Sequence, residues 1–193
     1  RMAGAYSTFV NGGKLVQPHL IEVVQDRNGK VIWKADRRAC DRCDAGFTGA
    51  ESPRIPRAGD QAMDPITAYQ VTSFLEGVVL RGTAVRASAL GKPLGGKTGT
   101  TNDYRSAWFM GFSPSLVVGV YVGFDDNRSL GNGETGSAAA LPVFIDFMSE
   151  ALKGKPDEAF KAPANAKYAM IRGIREAFRP GTEPQLQELN LAP

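Results

Sequence analysis

At 193 residues, with 42% hydrophobic and 22% charged side chains, the chain has the composition of one globular domain, or most of one, and can bury a core. A net charge of +3, scattered along the sequence, gives no argument for nucleic acid as a partner. No apolar run approaches the roughly eighteen residues of a membrane span, and no basic-then-apolar leader opens the chain.

Met2, Ala5, Tyr6 and Phe9 recur at helical spacing and Asn11-Gly12-Gly13 follows, so the chain opens inside an amphipathic helix with a glycine stop. Arg1 therefore reads as lying within an element and not at a domain boundary. His19 is the single histidine, and a Ser-His-Asp hydrolase would have to rest on it; after Gln17-Pro18 at a strand start it reads as structural. Residues 20–25 and 30–34 flank Asp26-Arg27-Asn28-Gly29, a hairpin signal.

From Ala35 to Met63 periodicity is lost and prolines, glycines and arginines collect, so this stretch is expected to be a long loop or insertion. Its arginines read as solvated charge, with a contact to a partner or an anionic polymer as the alternative. Cys40 and Cys43 lie within it. Zinc would need two further ligands, and a thioredoxin-like redox site needs a βαβ setting that is missing; a local disulfide in an oxidising compartment is the expectation.

Asp64-Pro65 is an N-cap followed by proline at the first helical position, Val71, Phe74, Leu75 and Val78 keep a helical interval, and Gly82 ends the run. Then come Gly95-Gly96-Lys97-Thr98-Gly99-Thr100-Thr101 and two apolar runs, Ser106 to Phe112 and Leu116 to Asp125, separated by Ser113-Pro114-Ser115. They read as the edge and next two strands of an antiparallel sheet, around which the rest packs. Alternation points Thr98 and Thr100 to one side and Lys97 and Gly99 to the other. Two hydroxyls on one face can hold a single carboxylate with an ammonium nearby. Gly99 leaves the backbone bare, so a ligand can lie along the edge as an added strand. The Thr100 N–H can then meet a carbonyl oxygen on which charge develops, a donor worth about 3 kcal/mol in the transition state.

Gly91 to Thr98 also satisfies the phosphate-loop pattern G-x-x-x-x-G-K-[ST]. That motif needs a buried strand before it and a helix starting at Lys-Thr, whereas residues 83–90 are short and alanine-rich and residues 99–105 have no helical period. An exposed strand without a ligand is the remaining alternative. Gly131 to Gly136 is a glycine-rich loop without the flanking strand and helix of a nucleotide cradle. Pro142 opens a last helix with Phe144, Phe147, Met148 and Ala151 on one face. Beyond Gly154 proline, lysine and alanine dominate, with one short element between Tyr168 and Phe178; residues 161–193 form a tail expected to be disordered from Pro184.

Lys97-Thr98-Gly99-Thr100-Thr101-Asn102-Asp103, then Ala107-Trp108-Phe109-Met110-Gly111-Phe112 and Val120 to Asp126, closely resembles the transpeptidase domain of class A penicillin-binding proteins. The resemblance covers about residues 2–160. It includes the opening helix and hairpin and the segment from Asp64 to Thr83, where Ala84 replaces the usual glycine; Ser106 stands where many relatives have aspartate. It implies an α+β fold, an antiparallel sheet flanked by helices of the β-lactamase/transpeptidase type, here as a partial domain. The family carries S-x-x-K, S-x-N and K-T-G in that order, and no serine here satisfies either of the first two. The resemblance therefore implies a nucleophile upstream of Arg1, with this chain alone inactive.

By the same resemblance the intact enzyme is a serine-type D,D-transpeptidase that takes the D-alanyl-D-alanine end of a peptidoglycan stem peptide, and is acylated by β-lactams. Its site is expected on the periplasmic side of the cytoplasmic membrane, held by an upstream anchor and accompanied by a glycosyltransferase domain. Lys97 would supply positive potential and orient the upstream serines, Thr98 and Thr100 would bind the terminal carboxylate, Gly99 and Thr101 would line the strand, and the Thr100 N–H would complete the oxyanion hole. No metal or cofactor is implied. A carboxypeptidase or β-lactamase-like hydrolase, and a non-catalytic binding fragment, remain as alternatives.

Overall fold

Asp64 starts the longest helix: its carboxylate accepts a hydrogen bond from the Thr67 N–H at 3.0 Å, with Pro65 in the first turn where a missing N–H costs nothing. In this computed structural model, which describes residues 1–38, 46 and 59–184, that helix is α2 (Pro65–Arg81). It is preceded by α1 (Met2–Val10) and by a hairpin of β1 (Val23–Gln25) and β2 (Val31–Lys34). Asp26 builds the hairpin turn, its Oδ1 accepting the N–H of Asn28 and of Lys30.

The centre is a three-stranded antiparallel sheet of β3 (Gly95–Thr100), β4 (Ser106–Ser113) and β5 (Leu116–Gly123), in that spatial order, with β3 at the edge. Pro114 and Ser115 make the tight β4–β5 connection, since Ser113 pairs with Leu116. Residues 85–90 form a 3₁₀ turn before β3, and α3 (Leu141–Ala151) follows β5. The core lies between β4 and α3. Phe109, Leu141, Phe144 and Met148 are fully buried, with Phe109 and Phe144 ring centroids 4.7 Å apart, and Val79, Ala84, Ala87 and Leu94 close one end. Truncating a ring such as Phe144 to alanine in such packing costs about 3–5 kcal/mol.

The helices exist where capping and periodicity place them, but their buried faces differ from those expected. On α1 the buried positions are Gly4 and Thr8, not the Met2–Ala5–Tyr6–Phe9 stripe. On α2 they are Ile66, Ala68, Thr72, Gly77 and Val79, while Phe74 is 60% exposed. On α3 Phe144 and Met148 are buried as expected, yet Phe147 is 51% exposed. Each helix is apolar on more than one side, so spacing alone selects no face.

The glycine-rich loop expected after β5 ends in a further element, a π-helical turn over Gly136–Ala140 that leads straight into α3. Pro142 accounts for it: without an N–H, and with a ring that crowds the carbonyl four residues earlier, it forces a wider turn. The one element expected near residues 168–178 is a hairpin, β6 (Lys167–Ile171) paired with β7 (Ile174–Phe178). It sits on α2, where Gln70 donates to the Ala177 carbonyl at 2.7 Å and Arg179 meets Asp64 at 3.3 Å and Thr67 at 2.7 Å. The expected Cys40–Cys43 disulfide, most of the 35–63 insertion and the disordered end fall outside the described residues. No helix among the described residues is long and apolar enough to cross a membrane.

Candidate functional site

β3 is an edge strand, and register fixes what each of its residues faces. Thr98 pairs with Phe109 and Thr100 with Ala107, so both threonines share the sheet face that carries the core; Lys97 and Gly99 share the other, opposite Met110 and Trp108. Lys97 and Thr98 lie inside a strand and not at the start of a helix, which removes the phosphate-loop reading of Gly91 to Thr98.

The two hydroxyls are engaged from behind. Thr98 Oγ1 lies 3.2 Å from Thr83 Oγ1, and Thr100 Oγ1 accepts the Gly136 N–H at 3.0 Å. Gly136 is where the π-helical turn meets the strand pair, and Thr135 caps that turn by accepting the Ala138 N–H. Lys97 Nζ donates to the Thr98 carbonyl at 2.9 Å, so the ammonium is held against the backbone of its own strand.

Thr101 is not grouped with them. Its hydroxyl accepts the Ser106 N–H at 2.8 Å and its own N–H donates to the Ser106 carbonyl at 3.0 Å, which closes the β3–β4 connection. Ser106 in turn places its hydroxyl 3.3 Å from the Tyr121 hydroxyl. Gly99, Trp108 and Tyr121 form one row across the sheet, and the Trp108 and Tyr121 rings meet at a tilt of 51° with centroids 4.8 Å apart. An aromatic shelf therefore lies beside the bare backbone of Gly99.

Beside β3, Glu76 on α2 is half buried, and that burial pushes its carboxyl above the ordinary value, with Arg81 opposing the shift. His19 is exposed, with its ring nitrogen 3.4 Å from the Gln17 carbonyl oxygen and Asp36 as its charged neighbour. Among the described residues no three His, Cys, Asp or Glu side chains converge as metal ligands would. A cavity of about 170 Å³ opens between α1, α2 and residues 158–163, lined by Phe9, Tyr69, Thr72 and Phe160, and includes no residue of β3.

Thr83 and Gly136 were the contributors that pattern reading left without a role. The first is one residue past the Gly82 helix stop and the second sits in a glycine-rich loop, and neither position advertises contact with β3.

Comparison with known proteins points to one family. The family described as penicillin binding protein transpeptidase domain matches residues 1–149. The chain is 45% identical over 188 residues to penicillin-binding protein 1A of Rickettsia conorii, covering 94% of this chain and 23% of that protein. It is 40% identical to penicillin-binding protein 1A of Neisseria gonorrhoeae, covering 88% and 20% respectively. Among solved structures, penicillin-binding protein 1A from Haemophilus influenzae superposes with a TM-score of 0.79 at 33% identity, covering 95% of this chain and 32% of that one. The D,D-transpeptidase domain of a peptidoglycan glycosyltransferase from Eggerthella lenta gives 0.54 at 26% identity, covering 79% and 32%. The chain thus spans less than a quarter of the length of the curated relatives it matches.

Proposed function

Because the chain belongs to the penicillin-binding protein transpeptidase family, we propose that it carries the substrate-gripping strand of a serine-type D,D-transpeptidase, whose nucleophile belongs to another part of the full-length protein. The observation that carries this reading is a strand at the edge of the described sheet that presents a lysine and two threonine hydroxyls.

A stem peptide ending in D-alanyl-D-alanine would lie antiparallel along β3, its terminal carboxylate held by the Thr98 and Thr100 hydroxyls and by the Lys97 charge. The Thr98 carbonyl, reached by Lys97 Nζ, faces away from β4; the alternation of an antiparallel ladder then turns the Thr100 N–H outward as well. In this reading it donates to the scissile carbonyl oxygen as that oxygen becomes negative. The serine oxygen forms an ester with the penultimate D-alanine, the peptide bond breaks, and the last D-alanine leaves as an amine that takes the serine's proton through a base. An amine on a neighbouring stem peptide then attacks the ester and releases the serine. A β-lactam enters the same step, its ring amide in place of the peptide bond and its carboxylate on the threonines. These events belong on the periplasmic side of the cytoplasmic membrane, with peptidoglycan as partner and no cofactor.

Labelling the full-length protein with a fluorescent penicillin and mapping the modified peptide tests the reading. The label is expected on a serine outside these 193 residues, and Lys97→Ala or Thr98→Val/Thr100→Val is expected to slow labelling by two orders of magnitude or more, on the order of losing one transition-state donor. A label on any serine of this chain, or a rate indifferent to Thr98 and Thr100, would refute it.

A further inference from the structure

A hydroxyl has one proton and two lone pairs, so whether it can bind a carboxylate depends on what its proton is already doing. A carboxylate accepts and never donates. A threonine that grips one must therefore point its proton outward, and any neighbour behind it must supply a hydrogen to its oxygen. For Thr100 that neighbour is the Gly136 N–H, which can only donate, so the Thr100 proton is left for a ligand. For Thr98 the neighbour is Thr83.

Thr83 is exposed, but its backbone is pinned. The Val78 carbonyl accepts the N–H of both Gly82 and Ala84 at 3.1 Å, and Ala84 is fully buried in the core. Gly82 admits no side chain, since a Cβ there would come within 2.9 Å of Val78 Cα and O. With the residues on both sides fixed, the Thr83 hydroxyl is held at the flank of β3 by the fold and not by its own rotamer alone.

We propose that Thr83 is a positioning residue for carboxylate recognition: it donates to Thr98 Oγ1 and so directs the Thr98 proton to the substrate's terminal carboxylate. The chain of donors runs Thr83 to Thr98 to ligand, each bond polarising the next. The opposite direction, Thr98 donating to Thr83, would present lone pairs to an anion. Two unrelated elements, the turn after α2 and the π-helical turn before α3, thereby do the same thing to the two gripping hydroxyls. This inference rests on the transpeptidase reading above and adds to it a residue that the Lys-Thr-Gly strand does not contain.

The experiment uses the full-length protein and two probes, benzylpenicillin and its methyl ester, each competing with a fluorescent penicillin for acylation. Thr83→Val keeps the shape and removes the hydroxyl; Thr83→Ser keeps the hydroxyl. Thr83→Val is expected to slow acylation by the free acid roughly three- to tenfold, the net worth of one hydrogen bond, and to leave the ester rate unchanged, so the acid-to-ester ratio falls. Thr83→Ser restores the ratio. Equal slowing with both probes means a structural role and overturns the proposal, as does an unchanged ratio in Thr83→Val when the wild type prefers the acid. A wild type that is not acylated, or shows no preference for the acid, overturns the transpeptidase reading itself, and the positioning role with it.

Discussion

Replacing Gly136 with alanine would place a methyl carbon 2.4 Å from the Trp108 carbonyl oxygen, 2.6 Å from the Gly99 carbonyl oxygen and 3.0 Å from the Gly99 nitrogen. All three are backbone atoms of the β3–β4 pair, so no side chain can swing away. Ordinary contact begins at 3.4 Å, and the strand or the turn must therefore retreat by about 1 Å in a close-packed interior. Overpacking of this kind costs about 1–3 kcal/mol, or roughly 2–12 °C in Tm for a protein of this size. The retreat also breaks the 3.0 Å bond from the Gly136 N–H to Thr100 Oγ1. Because a misplacement near 1 Å costs on the order of a hundredfold in rate, acylation of the full-length protein by a fluorescent penicillin is expected to fall by about 10–100-fold. Met148→Ala is the control: it empties a fully buried position on α3, costs about 2–5 kcal/mol by leaving a cavity, and displaces no strand. Stopped-flow acylation alongside thermal unfolding separates the two. Wild-type kinetics in Gly136→Ala, or the same kinetic loss in Met148→Ala, would show that the turn does not set the position of β3.

Two pH-linked predictions follow from α2. The Thr67 N–H foremost, with Arg179 beside it, holds the Asp64 carboxyl below its ordinary value; its stabilisation is present above the ordinary carboxylate range and disappears as pH falls through the depressed one. Asp64→Ala is therefore expected to lower the urea midpoint at pH 7, with the gap to wild type closing in acid; a gap independent of pH would contradict the assignment. Glu76 behaves oppositely. Burial raises its carboxyl, so the folded state favours the protonated form and loses stability as pH climbs from the ordinary value through the raised one. Glu76→Gln should flatten that decline and be the more stable protein at pH 8, and an unchanged slope would sink the reasoning.

What the residue pattern conveyed, and what it withheld, divides along a physical line. The β3–β5 sheet was readable because alternation and the Pro114-Ser115 turn are local signals, and the limits of α2 because Asp64 and Gly82 act within one turn of themselves. The buried faces were not readable: Val71, Phe74 and Leu75 are as apolar as Ile66 and Val79, and only the packing partner chooses between them. Within the candidate site Lys97, Thr98 and Thr100 were readable as a pattern along one strand. Thr83 and Gly136 were not, since each matters through a contact across 15 and 36 residues. Thr101 shows the converse, a hydroxyl that fits the pattern while its hydrogen bonds close a turn.

The seat of β6 and β7 on α2 has a kinetic corollary. Gln70 and Ala177 are 107 residues apart, and tethering ends so distant from an open coil costs about 4 kcal/mol in chain entropy, more than the two hydrogen bonds and one exposed ion pair of the clasp typically return. The clasp can close only after the intervening sheet and α3 have already shortened the path. Docking of β6 and β7 therefore follows formation of the β3–β5 sheet and α3, and the amino end of α2 waits for it.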